Sequence, residues 1–555
     1  MGQLTLDGAI RAYGSGENAG GTLTVSAAGR PITIGQAVLG GGDELAAGEA
    51  APMDLQLLEE LVLKAGDALP FDYSYTVDKI AAGQPLPGAT YVEFNAVTLT
   101  SDWTVPDGLE VYDADYNVYY GGSVLPAGTY LEFGYGQVEA GFIVPVEVWP
   151  NGISIPPVAY TYAKGEILQA DLTLPAGRTI TAGTVFETAV KVAKPLHLEA
   201  ELFQTGFSRY DIRAGGDLHV GGQLDVKAPV RRFTADSVNV ASGAAPQDAL
   251  ELWTPDMLRE DAANGRFVQR QGASLSLTAH GLSERNWSTG YGNPVTDPRP
   301  VGELVLAEGA SIRVDDGQSV SLTAMEGMRI DGRIEARGGK VTLLAGREEN
   351  ERRDYQPPVI VYDPTMALWL GEKSVIDVSG RGVSAVGADG ARYGHVSKGG
   401  DISVGGQRAA YVVVRPGAVL DASGAATEVD YLTSALTGDK QALTIATEGG
   451  AIRFQSQYGI FLDGDMRANA GGVGASGGLL SIKLTTPYVA QMGLGSRDMP
   501  DYMRRLRSIV LGQEQDSGLT ADLQYGDCIT GCWTPGQLVA DAMAANDGMA
   551  DVVGQ

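Results

Sequence analysis

Cysteine and histidine are scarce in this chain. Its 555 residues include two cysteines and four histidines. So few cysteines exclude a fold that depends on many disulfides. The histidines lie far apart in the sequence, at His197, His219, His280 and His395. No surrounding motif points to a hydrolase triad, so we predict no catalytic residue and a protein that is not an enzyme.

Positive charge is also in short supply. Lysine and arginine number 40 against 68 aspartates and glutamates, which gives a formal net charge of −28. A nucleic-acid partner is disfavoured, because phosphate contacts need clustered basic side chains. The acidity fits a soluble extracellular surface, or one that meets divalent cations or basic partners.

Long apolar runs are missing as well. No stretch reaches the roughly 18 apolar residues that a membrane-spanning helix needs. The first residues, Met1 to Asp7, begin directly in a strand pattern and lack the basic start and apolar core of a signal peptide. If the protein is exported, we expect this chain to be a fragment of a longer one.

Glycine, by contrast, is abundant: the chain has 76, well above the usual share of about 7%. A recurring motif places two glycines before any residue and then an apolar-x-apolar strand start. Its copies begin at Gly20, Gly215, Gly338, Gly399 and Gly449, with a looser copy at Gly477. A glycine turn that repeatedly feeds a period-two strand predicts an architecture of stacked units.

A second recurring motif is a short strand of the form apolar-acidic-small-x-Gly. Its copies start at Ile334, Ile376 and Leu420, with a variant at Met466. These starts lie about two coil lengths apart if one coil uses roughly 20 residues. Apolar and polar residues alternate, so one face points inward and must be buried by stacking. We predict an all-β fold, a parallel β-helix of about 15 to 20 coils and a length on the order of 70 to 95 Å.

The repeat pattern breaks near Gly42 and resumes near Ser208. Residues 53–64 have helical apolar spacing, with acidic residues early and a lysine late, so we predict one short helix there. Residues 69–190 are rich in tyrosine and proline and alternate between turns, which predicts a small antiparallel β-domain inserted into the solenoid. Insertions of this kind are often the binding element.

Short helical decorations are predicted on the shaft and beyond it. Residues 246–264 look helical and acidic, and 286–300 form a polar loop with prolines. After Leu484, residues 498–513 and 535–546 again look helical. The predicted segments are, in order, first coils at 1–48, a helix or linker at 49–68, the inserted domain at 69–190, the shaft at 191–484, and a cap or junction at 485–555.

The inserted domain contains a cluster of aromatic residues. The candidate ligand-binding residues are Tyr112, Tyr116, Tyr119, Tyr120, Tyr130 and Tyr135, with Phe133 among them. Such a cluster is typical of a surface that stacks sugars or binds protein. The alternative is that a small β-domain uses tyrosine to fill a thin core, because half-buried tyrosine suits strands.

A calcium loop is a further candidate in the same domain. Asp113, Asp115 and Asn117 have the spacing of oxygen ligands. The pattern departs from a calcium loop at the sixth position, where Val118 replaces glycine, and at the twelfth, where Val124 replaces glutamate. The other interpretation is an ordinary hairpin tip. Calcium is the one cofactor that the sequence suggests.

The two cysteines, Cys528 and Cys532, lie close together. In a secreted chain such a pair is most simply a local disulfide. Metal binding is the alternative, but no histidine or further cysteine is near.

Together, the two motifs resemble the filamentous-haemagglutinin-like exoproteins of two-partner secretion, the TpsA-type proteins. The similarity covers roughly residues 2–40 and 208–484, and it lies in the order of the strands starting at Ile376 and Leu420, a glycine-rich loop, and the Gly-Gly strand. It implies a right-handed parallel β-helix, an outer-membrane TpsB-type transporter as partner, and a location on the bacterial outer surface. The family's amino-terminal secretion domain is not recognisable, and the cysteine pair resembles one that some members use for surface retention.

These features predict a secreted, monomeric adhesin that mediates attachment, biofilm formation or cell-cell contact by binding a host or bacterial surface glycan or protein. Two alternatives are open. One is a polysaccharide-active β-helix enzyme, a lyase, hydrolase or tailspike-like protein, which needs carboxylates, basic residues and aromatics in one groove of the shaft. The other is a spacer that presents a downstream toxin.

Overall fold

A computed structural model of the chain describes residues 10–484, with gaps, and residues 517–529. The gaps are 16–19, 28–29, 37–43, 72, 81, 85–89, 140, 151, 169–170, 175, 177, 194, 235–236, 240–241, 244, 246–248, 281–301, 347–364, 407–409 and 435–437.

Three parallel sheets form the faces of one β-helix, and each coil runs from face 1 to face 2 to face 3. Face 1 contains Gly20–Ala27, Phe207–Ala214, Ser274–Ala279, Ser319–Ala324, Lys340–Leu344, Asp401–Gly405, Ala451–Ser456 and Leu479–Leu484. Face 2 contains Leu196–Leu198, Ile32–Ile34, Leu218–Val220, Leu304–Leu306, Met328–Ile330, Ala367–Leu370, Tyr411–Val414 and Ile460–Leu462. Face 3 contains Gln223–Asp225, Ser311–Arg313, Arg333–Glu335, Val375–Asp377, Val419–Asp421 and Asp465–Arg467.

Equivalent residues of successive coils stack in register. Ile312, Ile334, Ile376 and Leu420 form one column on face 3. Each of the four has 0% of its surface exposed. The inward side chains of the three faces join in one continuous core. The parallel β-helix predicted from the alternation is therefore confirmed.

Five of the six Gly-Gly copies mark the corner where the chain enters face 1, and the copy at Gly215 leads instead into Leu218–Val220 of face 2. A Cβ on Gly400 would lie 2.2 Å from the carbonyl oxygen of Gly339, and one on Gly450 would lie 1.8 Å from that of Gly400. The same holds for Gly478, whose Cβ would lie 2.0 Å from the carbonyl oxygen of Gly450. No side chain fits between these backbones, so close approach of adjacent coils explains the glycines.

The shaft is shorter than the sequence suggests. Ile334, Ile376 and Leu420 lie on adjacent coils, one coil apart rather than two. The eight strands of face 1, at a spacing of about 4.8 Å, give a length of about 34 Å. The prediction of 15 to 20 coils is wrong for the described residues, because insertions use much of the chain.

Antiparallel side hairpins leave the shaft between face 3 and face 1. The pairs are Val230–Phe233 with Leu250–Trp253, Leu258–Asp261 with Arg266–Gln269, Gly382–Val386 with Arg392–Val396, and Ala426–Leu432 with Lys440–Ala446. The short strand Gly14–Ser15 adds to the first pair. The only helical elements of the described residues are two 3-10 turns, Ala200–Gln204 and Ser237–Asn239.

The helix predicted at 246–264 is wrong where the structure describes that segment. Leu250–Trp253 and Leu258–Asp261 are strands, and each finds its backbone partner in a neighbouring strand. Tertiary pairing of this kind overrides a weak helical preference. The loop predicted at 286–300 lies outside the described residues.

The insertion is an antiparallel arm that carries a small domain at its end. Its outgoing and returning strands pair in order: Glu44–Leu45 with Val190–Lys191, Leu55–Gln56 with Thr179–Ile180, Leu61–Leu63 with Leu172–Leu174, and Tyr73–Ile80 with Ile153–Tyr162. The tip domain contains Thr90–Phe94, Val97–Thr98, Trp103–Thr104, Leu109–Asp113, Val118–Tyr120, Val124–Leu125 and Tyr130–Val138. The arm and the tip have separate cores. Antiparallel pairing thus begins at Glu44, ahead of the predicted boundary at residue 69.

The helix predicted at 53–64 is also wrong. Buried residues alternate here with period two, as Met53, Leu55 and Leu57 show with 0%, 0% and 1% exposure. Leu55–Gln56 pairs with Thr179–Ile180 on the returning strand. The leucine spacing fits both the helical and the strand period. Pairing with Ile180, far along the chain, determines that the segment forms a strand.

The described C-terminal segment, residues 517–529, contains no helix or strand. Its Leu519, Leu523 and Tyr525 pack on the outer side of face 2, against a cluster that includes Trp369 and Phe461. The helices predicted at 498–513 and 535–546 lie outside the described residues. In the described part of the chain, no helix has the length and apolar character to cross a bilayer.

Candidate binding site at the arm tip

The tip sheet has one buried side and one open side. Its strand order is Val118–Tyr120, Leu109–Asp113, Tyr130–Val138, Thr90–Phe94. Val111, Leu131 and Val92 face the tip core with exposures of 0%, 0% and 2%. Because neighbours in a strand point to opposite sides, the residues between them face outward.

A row of near-parallel aromatic rings covers the open side. The ring of Tyr112 lies 4.6 Å from Phe133 and 5.8 Å from Tyr135, measured between centroids. Tyr135 in turn lies 6.3 Å from Tyr91. The planes of these pairs differ by 22° to 25°. Tyr116 closes the other end, 6.4 Å from Phe133 and edge-on. We call these five residues the aromatic row.

Carboxylates flank the row. Tyr135 sits opposite Glu93 on one neighbouring strand and opposite Glu110 on the other. The hydroxyl of Tyr112 donates to Oε2 of Glu110 at 3.2 Å and lies 3.1 Å from the hydroxyl of Tyr135. The hydrogen bond to Tyr135 is the largest cause that raises the pKa of Tyr112, and the interaction with Glu110 raises it further. The row therefore presents the neutral phenol of Tyr112 beside the carboxylate of Glu110.

The ends of the row are open to solvent. Tyr91 is 53% exposed and Tyr116 is 69% exposed. Tyr116 adopts a φ of 60°, the one positive φ among described residues other than glycine. An aromatic side chain in this strained conformation is held at the turn with its ring outward. The open rings provide apolar surface for a partner.

Three of the predicted tyrosines lie outside the row. Tyr119 is on the opposite side of the sheet, where it packs against the tip core. Tyr120 is 58% exposed and Tyr130 is 45% exposed, and neither has a ring contact within the described residues. Hydrogen bonding to Glu132 raises the pKa of Tyr130. The aromatic row thus contains three of the six predicted tyrosines, and Tyr119 packs against the core of the tip instead.

The Asp113 loop is an ordered hairpin turn. Oδ1 of Asp113 accepts hydrogen bonds from the backbone N–H of Asp115 at 3.0 Å and of Asn117 at 2.9 Å. Its Oδ2 accepts from Nδ2 of Asn117 and from the hydroxyl of Tyr119, both at 3.0 Å. These bonds, led by the one from the Asn117 side chain, lower the pKa of Asp113.

The hairpin interpretation of this loop accounts for every contact of Asp113. In the described residues, no group of three or more His, Cys, Asp or Glu side chains is placed to hold a metal ion. Calcium binding by Asp113, Asp115 and Asn117 stays a prediction.

The cysteine pair lies at the edge of the described chain. Cys528 is disulfide-bonded. Cys532 lies outside the described residues, so its pairing with Cys528 stays a prediction.

Sequence reasoning missed Tyr91, Glu93 and Glu110 as members of the site. Each alternates with a buried valine, Val92 or Val111, and this alternation places it on the open side. The sequence does not show which strands are neighbours. That information comes from the register, which sets Tyr91 opposite Gln137.

Comparison with known proteins adds no relative to this geometry. No protein-family model matches the chain, and no curated protein or solved structure matches it significantly. The resemblance to filamentous-haemagglutinin-like exoproteins therefore stays a prediction. The candidate site is defined by its geometry: an aromatic row flanked by carboxylates at the end of an arm on a parallel β-helix.

Proposed function

We propose that this chain is the shaft and binding arm of a secreted cell-surface adhesin, and that the aromatic row binds its ligand, a glycan or protein on a host or bacterial surface. The observation that carries the proposal is the position of the row. It lies on the open side of the tip sheet, and both of its ends are exposed.

The chemistry of the row suits such a ligand. Ring faces stack on the apolar side of a sugar or on apolar protein side chains. The carboxylates of Glu93 and Glu110 accept hydrogen bonds from hydroxyl or amide donors. With a net charge of −28, the chain favours a neutral or basic ligand over an acidic one.

The architecture around the tip fits the same function. The arm places the row on a domain with its own core, separate from the shaft. Loss of binding surface at the tip therefore leaves the β-helix intact. Export through a TpsB-type transporter and participation in attachment or biofilm formation belong to the proposal, and they rest on the resemblance of the coil motifs.

Substitution of exposed rings tests the proposal. Tyr91→Ala and Tyr116→Ala are expected to reduce binding of the labelled full chain to cells or to a glycan array by about tenfold, because each removes a ring worth roughly 1 to 2 kcal/mol. Tyr431→Ala is the matched control, since Tyr431 is a 43% exposed tyrosine on a side hairpin. The array is probed with and without calcium.

Replacing residues 82–150 with a short Gly-Ser turn separates the adhesin from the spacer. The arm strands and the shaft remain, and far-UV circular dichroism checks the fold. If binding persists in this variant, the tip is not the binding element, and the spacer becomes the better account.

A further inference from the structure

A groove lies on the shaft where the first two side hairpins meet it. It consists of two adjoining cavities of about 280 and 290 Å³ that share Pro255, Asp256 and Arg270 in their walls. Side strands 250–253 and 258–261 form one wall. The turn at Asp315 and Asp316, between face 3 and face 1, contributes to the other. Each cavity is close to the lower limit of ordinary ligand sites.

The side hairpins are fixed to the shaft by buried polar contacts. The guanidinium of Arg270 donates to both carboxylate oxygens of Asp315, and the two side chains are only 11% and 4% exposed. Nε2 of Gln269 donates to the carbonyl oxygen of Asp316 at 2.6 Å. A buried bidentate pair of this kind fixes geometry as well as adding energy. The groove is therefore a preformed feature.

One wall combines an aromatic ring with a guanidinium. The Cζ of Arg232 lies 4.6 Å from the centroid of the Trp253 ring. Nε of Arg232 also donates to Oε1 of Glu251 at 2.7 Å. Val230 pairs with Trp253 and Arg232 with Glu251 across the strands, so these side chains share one side of the hairpin. This side of the hairpin therefore combines the flat apolar ring of Trp253 with the N–H donors of Arg232.

The opposite wall carries charges of both signs. Its cavity is lined by five carboxylates and four basic side chains. Arg313 lies 3.2 Å from Glu335, and Arg381 lies 3.1 Å from Asp316. Asp256 lines both cavities and has no hydrogen-bond or ion-pair partner among the described residues. Its carboxylate is therefore available to a ligand.

This combination matches the surface of a sugar. A saccharide offers an apolar ring face for Trp253 and pairs of hydroxyl groups for planar guanidinium and carboxylate groups, which bind two atoms at once. A phosphate-rich or strongly anionic polymer fits less well, because five carboxylates line the same two cavities as seven basic side chains. Because groups of both charges line the groove, it favours a ligand of hydroxyl groups, which can both donate and accept hydrogen bonds.

We propose that this groove is a second binding site, separate from the arm tip, which takes a neutral, hydroxyl-rich saccharide segment through Trp253, Arg232 and Asp256. The site lies on the shaft and does not depend on the aromatic row. The proposal therefore stands or fails independently of the proposed function of the tip.

Titration calorimetry of the full chain with maltotriose, cellotriose and N,N′-diacetylchitobiose tests the site. We expect at least one probe to bind with a millimolar or lower Kd. Arg232→Ala and Asp256→Asn should each weaken this binding by about tenfold, as expected for the loss of a hydrogen bond to a charged group. Cleavage of a probe by the wild-type chain would also support the site if Arg232→Ala and Asp256→Asn abolish it, because a saccharide must bind before it is cleaved.

The matched control is Arg453→Ala. Arg453 forms a comparable exposed pair with Asp401 at 2.8 Å, on the shaft away from the groove. Tyr91→Ala reports on the tip. The proposal is overturned if none of the three probes binds up to about ten millimolar, a range far weaker than ordinary recognition. It is also overturned if Tyr91→Ala removes the binding while Arg232→Ala and Asp256→Asn leave it unchanged.

Discussion

The backbone N–H of Asp54, on the arm, donates to Oδ2 of Asp217, on the shaft, at 2.8 Å. The other oxygen of Asp217 accepts from the backbone N–H of Glu303 at 2.9 Å. Asp54 is itself held by the N–H of Ala182, which donates to its Oδ1 at 2.9 Å. Asp217 therefore joins the base of the arm to two coils of the shaft.

Removal of this carboxylate should destabilise the protein. Asp217 is 2% exposed, so Asp217→Ala leaves two partly buried N–H groups without acceptors. We expect a loss of about 2 to 4 kcal/mol in the free energy of unfolding, measured by urea denaturation. The control is Asp401→Ala, because Asp401 is about half exposed and an exposed pair contributes at most about 1 kcal/mol. Equal losses in the two variants would contradict this assignment.

The same junction should make stability depend on pH. Burial raises the pKa of Asp217, and the nearby Asp54 carboxylate raises it further. Burial is also the main cause that raises the pKa values of Asp54 and Glu303, while the Tyr525 hydroxyl and Arg329 act in the opposite direction on Glu303. Burial lowers the pKa of His219, the neighbouring histidine, to about 4.

A carboxyl group with a raised pKa binds its proton more tightly in the folded state. Its stabilising contribution is complete below the ordinary values, 3.8 for Asp217 and 4.5 for Glu303. The contribution is lost as the pH rises through the higher folded values, with a slope of up to about 1.4 kcal/mol per pH unit for each proton. Glu303→Gln keeps a hydrogen-bond acceptor for the Tyr525 hydroxyl and removes one titrating carboxyl group. His219, whose pKa is lowered, contributes with the opposite sign between pH 4 and 6.5 in both proteins, so the test is the difference between the two profiles. We expect the unfolding free energy of Glu303→Gln to lose less between pH 4.5 and 8 than that of the wild type. Parallel profiles would count against the prediction.

The glycines at the corner of face 1 should not tolerate a side chain. Gly400→Ala places a Cβ 2.2 Å from the carbonyl oxygen of Gly339, which forces two coils apart. We expect a cost of about 1 to 3 kcal/mol or more. Gly21→Ala is the matched control, because Gly21 has the same motif position and nothing within 4 Å of its Cβ. If thermal denaturation gives both variants the same Tm, the close approach does not explain the motif.

The C-terminal segment should detach when its polar contacts are removed. The Nη2 of Arg415 donates to the carbonyl oxygen of Ala521 at 2.9 Å, and both of its Nη atoms donate to that of Thr520 at 3.2 Å. Arg415 is 3% exposed, and its guanidinium lies 5.4 Å from the ring of Trp369. We expect Arg415→Ala to increase amide hydrogen exchange in residues 517–529 by about tenfold or more, since each such bond contributes over 1 kcal/mol. Arg453→Ala should leave the exchange unchanged, and equal rates in both variants would argue against a role for Arg415.

The sequence predicted those features that repeat at short range. Val320 and Leu322 alternate with polar residues within one strand. This pattern is sufficient to predict the β-helix and the side of each strand that faces its core. Residues 53–64 were predicted wrongly because the partner of Leu55 is Ile180, far along the chain. The leucines there are spaced so that either period could be assigned to them, and only the distant partner distinguishes a strand from a helix.

The candidate site shows the same limit. Tyr112 and Tyr135 are separated by a hairpin, and local alternation placed both on strands. Their contact, and the inclusion of Tyr91, depends on the order of strands in the sheet. The number of coils was overestimated for a related reason, since the sequence does not mark which residues leave the shaft in side hairpins.

The arm has a mechanical consequence. Its outgoing and returning strands join the shaft at neighbouring positions on face 2, where Leu196 pairs with Ile32. A pull on the tip therefore reaches the shaft through two covalent strands that share the load. The hydrogen bonds between antiparallel strands run across the strands, at right angles to this force. If the tip binds a cell as proposed, tension on that cell is borne by the polypeptide backbone, and the ladder between the strands is neither sheared nor unzipped.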